Sequence, residues 1–109
     1  MDIEVVMDLD NGKSDLLKDY ANRRMVVMKQ RFPKVSRVVV TVGFDERTRQ
    51  YTAEVVAERL GFTAIGATEF SRHGKSAIDA AAARAERQLL KLRMDSWRDA
   101  VLGRGDKSA

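Results

Sequence analysis

Residues 35–58 read VSRVVVTVGFDERTRQYTAEVVAE, and hydrophobic side chains recur at every second position along much of this stretch. Such alternation is typical of a β-strand that buries one face and exposes the other. The polar segment 45–49 divides the stretch into two halves and has the composition of a turn. We therefore predict a hairpin whose inward positions are Val38, Val40, Val42, Phe44, Tyr51, Ala53, Val55 and Ala57.

Two further strands are predicted on either side of this hairpin. Residues 3–9 (IEVVMDL) are rich in β-branched side chains, and the turn residues Asn11 and Gly12 follow them. Residues 62–68 (FTAIGAT) come directly after a second turn at Leu60 and Gly61. The sequence thus predicts four strands.

A first helix is predicted between the first two strands. Ser14 can cap its N-terminus, and Pro33 ends it because the residue before a proline is displaced from the helical region. Between them, hydrophobic residues recur at steps of three or four, which is the spacing of one helix face. These residues are Leu17, Ala21, Met25, Met28 and Phe32.

A second helix is predicted over residues 75–102, where alanine is abundant and no Gly or Pro occurs. Gly103 is expected to end it. At about 100° per residue, one face of this helix carries the apolar side chains. They are Ile78, Ala81, Ala82, Ala85, Leu89 and Leu92. We expect a single domain over residues 1–102 and a disordered tail over 103–109.

The predicted element order is β-α-β-β-β-α. A four-stranded sheet with one apolar face needs a covering layer, and two amphipathic helices can supply it. The sequence therefore predicts the α+β class, a two-layer sandwich with both helices packed on one face of the sheet.

Composition narrows the possible functions. The chain has 109 residues with no Cys and one His, which excludes disulfides, thiolate metal sites, cysteine nucleophiles and a histidine-cluster zinc site. Its N-terminus lacks the order of a signal peptide, and no apolar run reaches the ~20 residues of a membrane span. We expect a cytoplasmic protein without cofactor, metal, membrane association or small-molecule substrate.

The net charge of +4 is concentrated on the predicted helices. Residues 15–32 contain five basic and two acidic residues, and residues 75–102 contain six basic and four acidic. Arginines at helical spacing suit phosphate, because a guanidinium donates two parallel hydrogen bonds to it. The positions that we predict to bind RNA on this basis are Arg24, Arg31, Arg84, Arg87, Lys91 and Arg98. The competing interpretation is the charged, solvated side of an ordinary surface helix.

Two local patterns in the sequence are similar to parts of catalytic or nucleotide-binding sites. Gly74-Lys75-Ser76 is similar to the end of a P-loop, but that motif needs a Gly at the position of Glu69, so nucleotide hydrolysis is not predicted. Lys75 can still hold an RNA phosphate at a helix N-terminus, although a plain N-cap is the competing interpretation. His73 beside Ser71 lacks a third orienting group. We therefore predict that the protein is not an enzyme.

A second apolar stripe runs along the predicted second helix, displaced by roughly 120° from its core face. It consists of Leu90, Met94, Trp97 and Val101. Either the stripe packs within the domain, or Trp97 and Met94 contact a partner protein or a stacked base.

Two segments of the chain carry a family resemblance. The first runs from Leu17 to Phe32 and continues into the valine strand, and the second contains Ala77-Ile78-Asp79 followed by Arg84-Ala85-Glu86-Arg87-Gln88-Leu89-Leu90-Lys91. Both resemble segments of the ribosome hibernation promoting factors, the family that includes the ribosome-associated inhibitor protein Y. The chain departs from the family pattern at Gly74-Lys75-Ser76 and at Val27, where members often carry lysine.

The resemblance implies a short-form hibernation factor with no catalytic activity. Its expected partners are the small ribosomal subunit and ribosomal RNA, bound in the decoding channel during stationary phase or stress, where it blocks mRNA and tRNA. Family contacts with RNA correspond here to Arg24, Arg84, Arg87 and Lys91. Two alternatives remain open: a stand-alone binder of structured RNA, and a protein-interaction module of the sigma-factor modulation type. Oligomeric state is not predicted.

Overall fold

The computed structural model is a four-stranded sheet with two helices, and it describes residues 2–9, 14–59 and 62–101, with only the backbone at 62–67 and 93–101. The strands are β1 (Asp2–Asp8), β2 (Val35–Asp45), β3 (Gln50–Arg59) and β4 (Phe62–Ser71). The helices are α1 (Ser14–Arg31) and α2 (Gly74–Val101). The predicted α+β sandwich is confirmed.

The strands lie in the order β1-β2-β3-β4, with β1 parallel to β2 and the other pairs antiparallel. The connection between β1 and β2 is therefore a crossover through α1, whereas β2 and β3 form the predicted hairpin. In its turn, the Asp45 carbonyl accepts the backbone N–H of Arg49 at 2.8 Å. Arg49 has a φ of 60°, a left-handed conformation that closes the turn at some steric cost. β4 continues past the predicted end at Thr68, because Phe70 and Ser71 still pair with β3.

The core lies between the sheet and the helices, and it contains the side chains that the two periodicities predict except Phe44. This residue is only half-buried and packs edge-on against Tyr51, with ring centres 5.0 Å apart. In the sheet, Val40 is fully buried between its neighbours Val5 on β1 and Val55 on β3. Burying each such side chain contributes roughly 1.5–3 kcal/mol. The helices complete the core with the buried residues Leu17, Ala21, Met25, Met28, Ile78, Ala81, Ala82, Ala85 and Leu89.

The helices run in the same direction and approach closely at the beginning of α2. Gly74 is buried there, and a Cβ at this position would lie 2.7 Å from each terminal carbon of Leu17. The missing side chain thus allows α1 to pack against the first turn of α2. This contact fixes the register of the two helices and, with it, the polar side chains that face each other further along.

The predicted tail at 103–109 and residue 102 lie outside the described residues. Among the residues that the structure describes, no helix is long and apolar enough to cross a membrane.

Candidate nucleic-acid interface

A seam of polar side chains lies between α1 and α2 and contains two acids. Tyr20 of α1 donates its hydroxyl hydrogen to the Asp79 carboxylate of α2, at 2.6 Å from Oδ1 and 2.7 Å from Oδ2. This hydrogen bond, more than the accompanying desolvation, raises the pKa of Tyr20. Further along the seam, Arg24 lies one turn beyond Tyr20 on α1 and faces Glu86, two turns beyond Asp79 on α2.

Arg24 forms a bidentate ion pair with Glu86. Its two terminal nitrogens donate to the carboxylate oxygens at 2.7 and 3.0 Å, and its Nε lies 3.8 Å from Asp79 Oδ1. Only 20% of the Arg24 side chain and 8% of the Glu86 side chain are exposed. The hydrogen bonds to Glu86 raise the pKa of Arg24. A bidentate pair in this setting is strong, so Arg24 fixes the two helices to each other.

Arg31 reaches the same carboxylate with a single contact. Its Nη1 lies 3.2 Å from Glu86 Oε1, and 59% of its side chain is exposed. Arg31 is therefore available to solvent and to an anionic partner, whereas Arg24 is engaged within the protein.

The cations of α2 lie on another side of that helix. At 100° per residue, Arg84, Arg87 and Lys91 are displaced by roughly 120° from Glu86. Arg84 pairs with Glu69 of β4 at 2.8 Å, with 54% of its side chain exposed. Arg87 and Lys91 are exposed and make no ion pair with any residue that the structure describes.

The predicted set therefore does not form one continuous cationic surface. Arg24 and Arg31 lie at the interhelical seam, where Asp79 and Glu86 offset their charge. The cations of α2 form a separate area that begins at the β4 side of the helix. The physical reason for the division is that Asp79 and Glu86 of α2 face α1, and Arg24 and Arg31 turn toward them.

Lys75 occupies a third position, at the beginning of α2. Its Nζ lies 5.3 Å above the centre of the Tyr20 ring, a favourable cation–π distance. Together with Arg23, Arg24 and Val27, these two residues line an open concavity of about 350 Å³. Lys75 is exposed at its edge.

Three predicted positions lie outside the described side chains. They are Met94, Trp97 and Arg98, for which the structure gives only the helical backbone of α2. Their predicted roles stay predictions. Leu90, at the start of the same stripe, is 43% exposed.

The described residues were also the place to find a catalytic pair at His73 and Ser71 or a metal site. His73 is exposed, and its backbone N–H, rather than its ring, bonds to Ser71 Oγ at 3.2 Å. No group of three metal-ligating side chains occurs in the parts of the chain that the structure describes.

Comparison with solved structures identifies this architecture. A ribosomal subunit interface protein from Coxiella burnetii matches with a TM-score of 0.73 and 15% identity, over 86% of this chain and 99% of that one. The N-terminal domain of Protein Y from Thermus thermophilus matches with a TM-score of 0.69 and 19% identity, over 84% of this chain and 99% of that domain. The chain has the Protein Y fold. No protein-family model matches it, and no curated protein is similar to it in sequence.

The resemblance of the two helical segments to the hibernation factor family is thus confirmed as a shared fold, that of Protein Y. Within that fold, the sequence argument missed the partners of the cations, namely Asp79, Glu86 and Glu69. Asp79 and Glu86 were counted in the charge of the second helix and Glu69 was not counted, and the pairing of these acids depends on contacts as far as 62 residues apart in the chain. The one available signal was the position of Asp79 and Glu86, which share a helix side distinct from the arginines.

Proposed function

We propose that this protein binds the small ribosomal subunit and silences translation in the manner of a hibernation factor. It acts in the cytoplasm of starved or stressed cells. It occupies the RNA-lined decoding channel with the cations of α2 toward the RNA, and it excludes mRNA and tRNA. It carries out no chemistry.

The observation that carries this proposal is the Protein Y fold presenting exposed cations on α2. Arg87 and Lys91 are free to meet phosphate without giving up an ion pair in the described part of the protein. Arg84 is half exposed and can exchange Glu69 for phosphate. An exposed pair of this kind contributes only about 0–1 kcal/mol, so the exchange costs little.

Each remaining position of the predicted set has its own part in this proposal. Arg31 and Lys75 are peripheral phosphate contacts, because both are exposed. Arg31 also contacts Glu86 and the Phe32 ring, and Lys75 the Tyr20 ring. Arg24 is a positioning residue that holds α1 against α2. Arg98 extends the cationic area along α2, and Trp97 with Met94 supplies a contact to a ribosomal component.

Charge reversal on α2 tests the proposal. We expect the triple variant Arg84→Glu, Arg87→Glu, Lys91→Glu to stay folded, because all three side chains are exposed, and to lose co-sedimentation with small subunits. Wild-type binding should weaken as salt is raised, because each phosphate contact releases counterions.

A matched control separates local contacts from net charge. The variant Lys18→Glu, Arg47→Glu, Arg49→Glu makes the same change in charge at exposed positions on α1 and in the turn between β2 and β3, and it should still co-sediment. Retained binding by the α2 variant at moderate salt would refute the proposed surface. Equal competition by free structured RNA and by small subunits would instead indicate a general RNA binder.

A further inference from the structure

The face of the sheet that the helices leave open has a charge opposite to that of the helical layer. Side chains of β1 to β3 that point away from the core include six acids and one base. The acids are Asp2, Glu4, Asp8, Asp45, Glu54 and Glu58, and the base is Arg37. The described side chains of the open face therefore carry a net charge of −5 on a protein whose total is +4.

Arg37 offsets part of this charge without removing it. Its guanidinium lies 2.7 Å from Glu4 and 3.5 Å from Glu58, bridging β1 to β3 across β2. Asp2, Asp8 and Glu54 are exposed and make no ion pair with any residue described in the structure. A cation arriving from outside would therefore find carboxylates that no internal partner occupies.

Apolar side chains lie among these acids. Val39 and Val56 pair across β2 and β3 at the centre of the face and are half-buried. Val6 on one edge strand is 37% exposed, and Phe70 on the other is 59% exposed. Val39 and Val56 share one side-chain row, whereas Phe70 lies beside Thr52, two rows further along. The face therefore offers separate apolar positions set among mostly acidic side chains, a composition found at binding surfaces.

The size of the face favours an extended segment over a folded partner. Four strands spaced about 4.8 Å apart, over four side-chain rows, give an area of roughly 400 Å². A stable dimer buries about 800 Å² on each side, so a second copy of this chain is too large an occupant for the face alone. A six- to eight-residue extended peptide spans ~20–25 Å and matches the length of the strands.

We propose that the open face of the sheet docks an extended polypeptide segment in which lysine or arginine alternates with apolar residues. Its cations meet Asp8, Glu54 and the acids near Arg37, and its apolar side chains lie on Val39, Val56 and Phe70. RNA is repelled by the same face, so the two layers of the protein bind partners of opposite charge.

A synthetic octapeptide of alternating lysine and valine, labelled with a fluorophore, tests this directly. Binding is measured by anisotropy, and the bound surface is mapped by NMR shifts of backbone amides. We expect shifts confined to β1–β4, affinity that falls with salt, and no binding of a glutamate–valine octapeptide. Shifts centred on α1 or α2 would overturn the proposal.

Two double variants with the same change in net charge supply the control. Asp8→Lys with Glu54→Lys should weaken peptide binding tenfold or more, whereas Asp15→Lys with Asp19→Lys on α1 should leave it within twofold. If the charge-reversed pair fails to fold, the milder pair Asp8→Asn with Glu54→Gln replaces it and should weaken peptide binding about threefold. The proposal would be overturned if the face variant and the control variant bound the peptide with equal affinity. It would also be overturned if the wild type formed concentration-dependent dimers that the face variant did not form. The assay contains no ribosomes, so its outcome is independent of the function proposed above.

Discussion

Tyr20 joins the two helices through a hydrogen bond that depends on its own protonation. Asp79 accepts the phenol hydrogen, and this contact raises the pKa of Tyr20 above its ordinary value of about 10. A pKa that is higher in the folded than in the unfolded state means that the contribution to stability is complete below pH 10. It is then lost as the pH rises through the folded-state value.

We therefore predict that the free energy of unfolding of the wild type falls more steeply above pH 10, as the pH rises toward the folded-state pKa of Tyr20, than that of Tyr20→Phe. Urea unfolding followed by circular dichroism at each pH measures the difference. Tyr51→Phe keeps the contact with Asp79 and should retain the steep fall. Parallel pH profiles for the wild type and Tyr20→Phe would contradict this role.

The same residues show where sequence reasoning ends at this scale. Arg24 was singled out because it lies beside the core face of a helix, and its position at the seam follows from that placement. Its partner could not be predicted, because Glu86 meets it only once α1 and α2 pack in one particular register. Helical spacing gives the side of a helix on which a residue lies, but not which residue of another helix lies opposite.

At the scale of the elements, that register depends on the contact between Gly74 and Leu17. A methyl group at Gly74 would lie 2.7 Å from carbon atoms of Leu17, closer than van der Waals contact allows. We predict that Gly74→Ala lowers the free energy of unfolding by about 1–3 kcal/mol, the usual cost of overpacking. Chemical denaturation measures this loss.

Two further variants distinguish overpacking from an effect on the helix itself. Adding Leu17→Ala should recover part of the loss, so that the double variant is more stable than the sum of the single effects predicts. Ser76→Ala, at an exposed position of the same turn, should change stability little. Unchanged stability in Gly74→Ala would show that the helices separate there at no cost.

The strands and helices themselves were predictable because hydrophobic residues recur at every second position in the strands and at every third or fourth position in the helices. The valines of β2 alternate, and all three that were assigned to the core are fully buried. The steps from Leu17 to Phe32 gave the buried side of α1 in the same way. The extension of β4 to Ser71 was not predicted, because residues 69–71 lack alternation of their own and are held by pairing with β3.

At the scale of the whole molecule, the charges are divided between two layers. The open sheet face is acidic and the outer side of α2 is basic, and a helix alone separates the two by about 10 Å. At physiological salt, exposed charges are screened over about 8 Å. The two surfaces therefore act as independent electrostatic sites, and only acids close to α2 affect its affinity for phosphate.

Because the two surfaces act independently, removing an acid beside α2 and removing an acid of the open face should have different effects on binding to small subunits. Glu69→Gln removes the partner of Arg84, so this arginine meets phosphate without first breaking an ion pair. We expect binding to small subunits to tighten about twofold to fivefold, in line with the ~0.5–1 kcal/mol of an exposed pair. Glu54→Gln removes an equal charge from the open face and should leave this affinity unchanged. Sedimentation binding curves at two salt concentrations measure both variants. Equal tightening by both would mean that total charge, rather than the release of Arg84, determines how the protein holds RNA.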